Sequence, residues 1–329
     1  MKVLIVGFGS IGKRHLKNLC SMKNMEILIL TKQKNIKKFS HKNVKFLYNF
    51  HDCILEKPTV ALITNETSLH IPIAKKLVSL GIHVFIEKPI SNTMKDIKKI
   101  IDITKKKKLI TLVGCNLRFN DSIKKIKSLL DKKKIGRIIS VKVECGTYLP
   151  DWHPDENYSN GYAARNDLGG GVVLTLIHEL DYLYWFFGKV NEVISITGKF
   201  SDLNVSTNDF SGILMKFKND VVAEIHLDYF QKPGIRSCKI IGTTGTIYWD
   251  SIKNDVKIFD NKKSKWSSVL KVKKYDRNKE YMDELKYYFD CLSNHNKSMN
   301  DFVEAKYVLS IALGIIKSSN SKKFIKILD

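Results

Sequence analysis

The sequence predicts an α/β protein: a doubly wound parallel sheet in its N-terminal part, followed by an α+β part built on a large, mostly antiparallel open sheet. Three observations carry this. The run Gly7-Phe8-Gly9-Ser10-Ile11-Gly12 has the spacing G-x-G-x-x-G, and it sits directly after an apolar stretch and directly before a helical pattern. Short apolar runs then alternate with helical stretches to about residue 113, the pattern of a parallel sheet with helices on both faces. Beyond about Asp121, longer stretches of alternating polarity take over, as in an antiparallel sheet with one covered face.

The elements follow in order. Apolar runs at 3–6, 26–30, 44–46, 60–64, 84–86 and 111–113 are the expected parallel strands. The helix after the glycine run begins at Lys13 and places Leu16 and Leu19 on one face. A helix is expected at 123–130, then strands at 138–148, 192–199, 212–216, 221–229, 237–242 and 246–249, and two closing helices at 279–292 and 301–318. The expected division is 1–120 and 121–329.

With 329 residues the chain is long enough for two cores, and 43% hydrophobic with 27% charged residues fits a globular protein. No apolar run approaches the length of a membrane span, and a strand begins at once, so the expectation is a cytoplasmic protein without a signal peptide. Six cysteines are widely spaced, without C-x-x-C or Cys/His clustering, and read as reduced thiols and not as metal ligands. The formal charge of +23 is mostly lysine on helix faces and loop ends, as at 105–108 and 132–134. It lacks the arginine and aromatic interleaving of a nucleic-acid groove, so no nucleic-acid partner is expected, though it would draw in an anionic substrate.

The chemistry starts at the glycines. Gly7 permits a tight strand-to-helix turn, Gly9 lets the main chain approach a pyrophosphate, and Gly12 lets helix and strand pack closely, while the helix N-terminus offers N–H groups to phosphates. Glu87-Lys88-Pro89 follows the fifth strand. Ligands of parallel sheets bind beyond the carboxyl ends of strands, so Lys88 faces the cofactor crevice, where its ammonium can donate to a substrate hydroxyl. At the end of the second strand the chain reads Leu30-Thr31-Lys32-Gln33-Lys34, without the acid that would bind ribose hydroxyls of NAD. A hydroxyl and two lysines there favour NADP slightly over NAD.

Over nearly its whole length the chain resembles the Gfo/Idh/MocA oxidoreductases, nicotinamide-dependent sugar and polyol dehydrogenases. The resemblance rests on the glycine run followed by His15, on Thr64-Asn65 with His70, and on Glu87-Lys88-Pro89. It extends through Val113-Gly114-Cys115-Asn116-Leu117-Arg118-Phe119, Gly169-Gly170-Gly171 leading to His178-Glu179-Leu180-Asp181, and Gly242-Thr243-Thr244-Gly245. It implies a Rossmann domain and a second domain whose open sheet holds substrate on one side and often an oligomer interface on the other. A homodimer or homotetramer is therefore expected. By this resemblance Lys88 and His178 flank the reacting carbon, with His178 as base and Lys88 bonded to the same oxygen. The cofactor would meet Gly7, Phe8, Gly9, Ser10, Ile11, Gly12, Thr31, Lys32, Thr64, Asn65, His70, Glu87, Lys88 and Asn116. Substrate would meet Lys88, Arg118, Trp152, Tyr158, Arg165, Thr175 and His178.

Members of the family it resembles usually carry an aspartate three or four residues before the histidine, where this chain has Leu174-Thr175. Either Lys88 and His178 suffice, or another acid such as Asp151, Asp155, Asp167 or Asp181 replaces it, or catalysis is impaired; the first is the expectation. The irregular stretch 148–165 concentrates Trp, His, Tyr, Asn and Arg and either lines the site or packs on a neighbouring subunit. It resembles a branch acting in cell-surface sugar synthesis, where Trp152, Tyr158 and Arg165 would hold sugar and phosphate groups. The expected function is hydride transfer between NAD(P) and a phosphorylated or nucleotide-linked sugar. The alternative is a catalytically impaired nicotinamide-binding sensor or scaffold.

Overall fold

A computed structural model describes residues 1–33 and 42–328. In chain order the first elements are β1 (Lys2–Val6), α1 (Ser10–Cys20), β2 (Glu26–Leu30), β3 (Val44–Leu47), α2 (Phe50–Leu55), β4 (Val60–Ile63), α3 (His70–Ser79), β5 (His83–Glu87), α4 (Ile97–Lys106) and β6 (Thr111–Gly114). Their strands pair in parallel in the order β3-β2-β1-β4-β5-β6. This is the order of a dinucleotide-binding sheet, with its direction of winding reversing between β1 and β4. β4 and β6 are buried at every position because helices cover both faces, which is why they read as continuous apolar runs.

The following elements are α5 (Asp121–Asp131), β7 (Ile138–Gly146), α6 (Val172–Thr175), α7 (His178–Phe187), β8 (Val190–Gly198), β9 (Phe210–Phe217), β10 (Val222–Asp228), β11 (Ile235–Gly242), β12 (Gly245–Asp250), β13 (Asp255–Asp260), β14 (Lys265–Lys271), α8 (Arg277–Ser293), α9 (Phe302–Ser321) and β15 (Ile325–Lys326). The nine strands form one sheet, β14-β13-β12-β11-β7-β10-β9-β8-β15. Every pairing is antiparallel except that of β7 with β10. Alternation sorts its faces: in β9 Ile213, Met215 and Phe217 are buried while Leu214 is half exposed.

By its contacts the chain divides into a first unit of residues 1–115 with 281–306 and a second of residues 116–280 with 307–329. The sequence predicts one boundary at 120/121; by its contacts a C-terminal stretch returns to the first unit. The cause is an apolar stripe at helical spacing. Leu285, Tyr288, Phe289 and Leu292 join Val3, Ile5, Leu16, Leu19, Ile27, Ile29 and Phe85 in one buried cluster, so α8 covers one face of the parallel sheet. The edge hairpin β13–β14 and the short β15 were not expected. β14 is exposed at most positions and carries lysines and serines, so its alternation is weak.

Candidate active site

In the first unit the site begins where β1 ends. Gly7 has φ +100°, and a Cβ built on it would lie 2.8 Å from the backbone nitrogen of Asn65. The turns leaving β1 and β4 are thus in direct backbone contact at the reversal point of the sheet. A Cβ on Gly12 would lie 2.4 Å from the Gly7 carbonyl oxygen and 2.9 Å from Thr64 Oγ1. That hydroxyl is within 3.1 Å of the Val6 carbonyl and 3.0 Å of the Gly7 carbonyl, so Thr64 braces the glycine turn. Gly9 behaves differently: a Cβ there meets nothing within 4 Å. Gly9 and Ser10 are exposed at the start of α1, whose N-cap residue Gly9 has no side chain to cap the helix.

Two observations fit these residues to a dinucleotide. The backbone at Gly9 leaves room for a group to reach the N–H groups opening α1, and Asn65 Oδ1 is buried without a hydrogen-bond partner among the described residues. Phe8 is buried edge-on against Phe46, so it supports the turn from beneath. Ile11 is half-buried. Past β2, Thr31 Oγ1 accepts from the Gln33 N–H, and the Gln33 amide donates to the Phe8 carbonyl at 3.3 Å. Gln33 therefore links the β2 end to the glycine loop, a role that only the fold reveals. Lys32 is exposed beside it, and Lys34 lies outside the described residues.

Lys88 follows β5 and is half-buried, with a cis peptide to Pro89. Both its neighbours are held. Glu87 Oε1 lies 2.6 Å from Nε2 of the fully buried His15 on α1. The Pro89 carbonyl lies 2.9 Å from Nδ1 of His70, whose Nε2 lies 3.0 Å from the Asn65 carbonyl. His70, a candidate cofactor residue, is 1% exposed, with its two ring nitrogens directed at main-chain carbonyls of two loops. Burial depresses its pKa, against the two carbonyls and the Glu87 and Glu66 carboxylates, which favour the charged ring.

In the second unit Gly170 and Gly171 precede α6. A Cβ on Gly170 would lie 2.0 Å from the Tyr162 carbonyl oxygen, and Gly171 has φ +108°, so only glycine fits this approach. Thr175 closes α6 and is buried, with its side chain bonded to the buried Tyr229 hydroxyl. Burial holds that phenol well above its ordinary pKa, so it stays protonated. His178 opens α7 and is 7% exposed. The two acids of that first turn both have arginine partners. Arg118 donates from Nε and Nη2 to the two Asp181 oxygens at 2.8 Å each, and Arg236 Nε lies 2.8 Å from Glu179 Oε1.

The Arg118 guanidinium is 3% exposed, forks onto Asp181 and faces the Trp185 ring, so its charge is paired inside the second unit. Asn116 donates to Glu280 at 2.6 Å, within a group in which Glu280 also accepts from Asn120 and Tyr275; its amide N–H thus serves the second unit. Trp152 donates from its indole to Thr147 and packs edge-on against Tyr229. The Tyr158 hydroxyl accepts from the Asn204 N–H, and Arg165 pairs with Asp167 in the open. Lys88 belongs to the first unit and His178 to the second. Among the described residues no group of His, Cys, Asp or Glu could hold a metal ion, and no helix is long and apolar enough to cross a membrane.

Residues 1–115 match the oxidoreductase family model with an NAD-binding Rossmann fold, and residues 123–248 match the GFO/IDH/MocA C-terminal domain. The chain belongs to the GFO/IDH/MocA oxidoreductase family. It is 22% identical to myo-inositol 2-dehydrogenase of Thermotoga maritima over 99% of this chain and 98% of that protein. It is 26% identical to an inositol 2-dehydrogenase/D-chiro-inositol 3-dehydrogenase of Lacticaseibacillus casei over 60% of this chain and 56% of that one. Levoglucosan dehydrogenase, solved with NADH and levoglucosan, shares the fold with a TM-score of 0.89 at 17% identity, over the whole of both chains. Membership makes this protein an oxidoreductase, and the Gly7–Asn65 turn contact lies within the part that matches the NAD-binding Rossmann fold.

Proposed function

We propose that this GFO/IDH/MocA chain transfers a hydride between NAD(P) and a hydroxyl or keto carbon of a sugar or polyol. The observation that carries the reading is the glycine cradle joined, within one parallel sheet, to a lysine whose flanks are fixed just past β5. The nicotinamide, when bound, accepts or returns the hydride. Gly7, Gly9, Gly12, Ser10 and Asn65 would hold its phosphates and neighbouring groups, and Thr31 with Lys32 its adenosine ribose. The absence of an acid at Thr31-Lys32-Gln33 favours NADP slightly over NAD.

Alcohol oxidation also releases a proton. In this reading His178 takes it, since an imidazole titrates near neutrality, and the Lys88 ammonium bonds the same oxygen and stabilises the charge that develops there. At the place of the family's aspartate stand Leu174 and Thr175, neither of them ionisable, and Thr175 is bonded to the buried, protonated Tyr229. A site without that carboxylate, in a chain of charge +23, favours an anionic sugar, phosphorylated or nucleotide-linked, as in surface-glycan synthesis. Trp152, Tyr158 and Arg165 are the remaining candidates for holding it. The exposed Ile196 and Leu214 on the outer face of the nine-stranded sheet support a homodimer or homotetramer. A cytoplasmic location and the absence of a nucleic-acid partner complete the reading.

The test is reduced-nicotinamide absorbance with NAD or NADP and a panel of polyols, sugar phosphates and nucleotide sugars. Lys88→Met is expected to abolish turnover and to leave cofactor affinity close to that of the parent; turnover at the parental rate would sink the assignment. Thr175 in place of an acid also suits a sensor that binds nicotinamide without turnover, and silence across the whole panel with cofactor bound would favour it.

A further inference from the structure

Lys88 sits between two buried histidines from different elements, and neither is needed to contact a ligand. His15, on α1, reaches the Glu87 carboxylate at 2.6 Å; His70, at the start of α3, reaches the Pro89 carbonyl at 2.9 Å and the Asn65 carbonyl at 3.0 Å. The residues before and after Lys88 are thereby tied to two different helices of the first unit. The second tie also fixes the Lys88 turn against the Asn65 loop, the same loop that Gly7 touches. A solvent-exposed strand end has no such restraint and drifts with its loop. A buried imidazole spanning two carbonyls sets their separation, because the ring is rigid and its two nitrogens point in fixed directions.

We propose that His70 is a positioning residue, which sets the place of the Lys88 ammonium relative to the Asn65 loop by bridging their main chains, with His15 holding the opposite flank through Glu87. This rests on the reading of Lys88 given above. It assigns His70 no contact with cofactor or substrate. A ring carrying one proton bonds one carbonyl and packs against the other, so the bridge needs both the length of the ring and its donor. Phenylalanine keeps the first and lacks the second; asparagine keeps a donor and is too short to span both carbonyls.

The experiment compares His70→Phe, His70→Asn and the parent in two ways. The first is the rate at which an amine-reactive ester labels Lys88, read by peptide mass spectrometry against the exposed Lys32 as internal reference. The second is steady-state turnover with the sugar substrate. The expected result is faster labelling of Lys88 alone, and a kcat lowered by about tenfold to a hundredfold with KM little changed, the cost of a misplaced reacting group. Circular dichroism and nicotinamide binding establish that each variant folds, and if His70→Phe does not, His70→Asn decides. Parental labelling and parental kcat in a folded variant would overturn the proposal. Lys88→Met separates the two readings: if it stays active, the catalytic role of Lys88 falls, while the labelling result still decides whether His70 positions it.

Discussion

Gly9 and Gly12 belong to one motif but do different work, and alanine at each should separate stability from cofactor binding. At Gly12 an added methyl would stand 2.4 Å from the Gly7 carbonyl oxygen, a main-chain atom that cannot rotate away, and 2.9 Å from Thr64 Oγ1. Overpacking of this kind costs about 1–3 kcal/mol, which lowers Tm by a few degrees for a unit of this size. At Gly9 the methyl meets nothing within 4 Å, and the backbone, at φ −74° and ψ −167°, suits alanine without strain. Gly9→Ala should therefore stay within about 1 kcal/mol of the parent, the narrower unfolded ensemble offsetting alanine's poorer fit at an N-cap. Its effect falls on the ligand, whose phosphates must stand off from the opening turn of α1. A loss of about tenfold in nicotinamide affinity, roughly 1.4 kcal/mol, is expected. Thermal melts without cofactor and calorimetric titration with NAD and NADP measure the two quantities. Equal destabilisation by both variants, or undiminished affinity in Gly9→Ala, would refute the division of labour and the placement of the phosphates.

Other consequences follow from the ion pairs. Arg118→Leu leaves Asp181 as an unpaired buried carboxylate and should destabilise the protein by about 3–5 kcal/mol, measured by urea unfolding; a loss under ~1 kcal/mol would show that Asp181 finds another donor or takes up a proton. In β10 the buried Asp228, with Oδ2 2.8 Å from Nε2 of the half-exposed His226, raises the His226 pKa above that of an ordinary histidine. The folded state binds that proton more tightly than the unfolded chain, so the stabilisation is complete below about pH 6.5 and disappears as pH rises through the raised value. Melting curves of the parent should thus lose an increment between mildly acidic and mildly alkaline pH that His226→Gln lacks; parallel pH profiles would count against the pair.

The sequence announced the parallel sheet and the glycine cradle because each depends on local rules. A buried strand reads as an apolar run, and a turn whose Cβ position lies 2.8 Å from another stretch of the main chain admits glycine alone. The second sheet was legible wherever alternation was strong, as in β9, and illegible in β14, where most positions face solvent. Pairings over long sequence separations left no local trace. Arg118 and Asp181 stand 63 residues apart, so their pairing has no signal in the sequence around either. The contact of His70 with the Pro89 carbonyl, 19 residues away, is equally invisible in the sequence. The stripe Leu285, Tyr288, Phe289 and Leu292 announced a helix, but periodicity does not say which sheet that helix covers.

The two residues proposed to act on the substrate share a mode of support. Lys88 lies between Glu87 and Pro89, each held by a buried histidine. His178 lies in the first turn of α7 between two acids, each held by an arginine from a different element. At about 100° per residue, Glu179 projects about 100° to one side of His178 and Asp181 about 60° to the other. With both carboxylates anchored, α7 cannot rotate about its axis without breaking a buried pair, so the direction of His178 is fixed by charge pairing on both its flanks. Acids at a helix N-terminus are favourable in their own right, and here the same groups also set the helix's orientation. In the proposed reading, a base and a hydrogen-bond donor aimed in this way need no acid at Leu174-Thr175 to orient them, so the lack of one there does not argue against turnover.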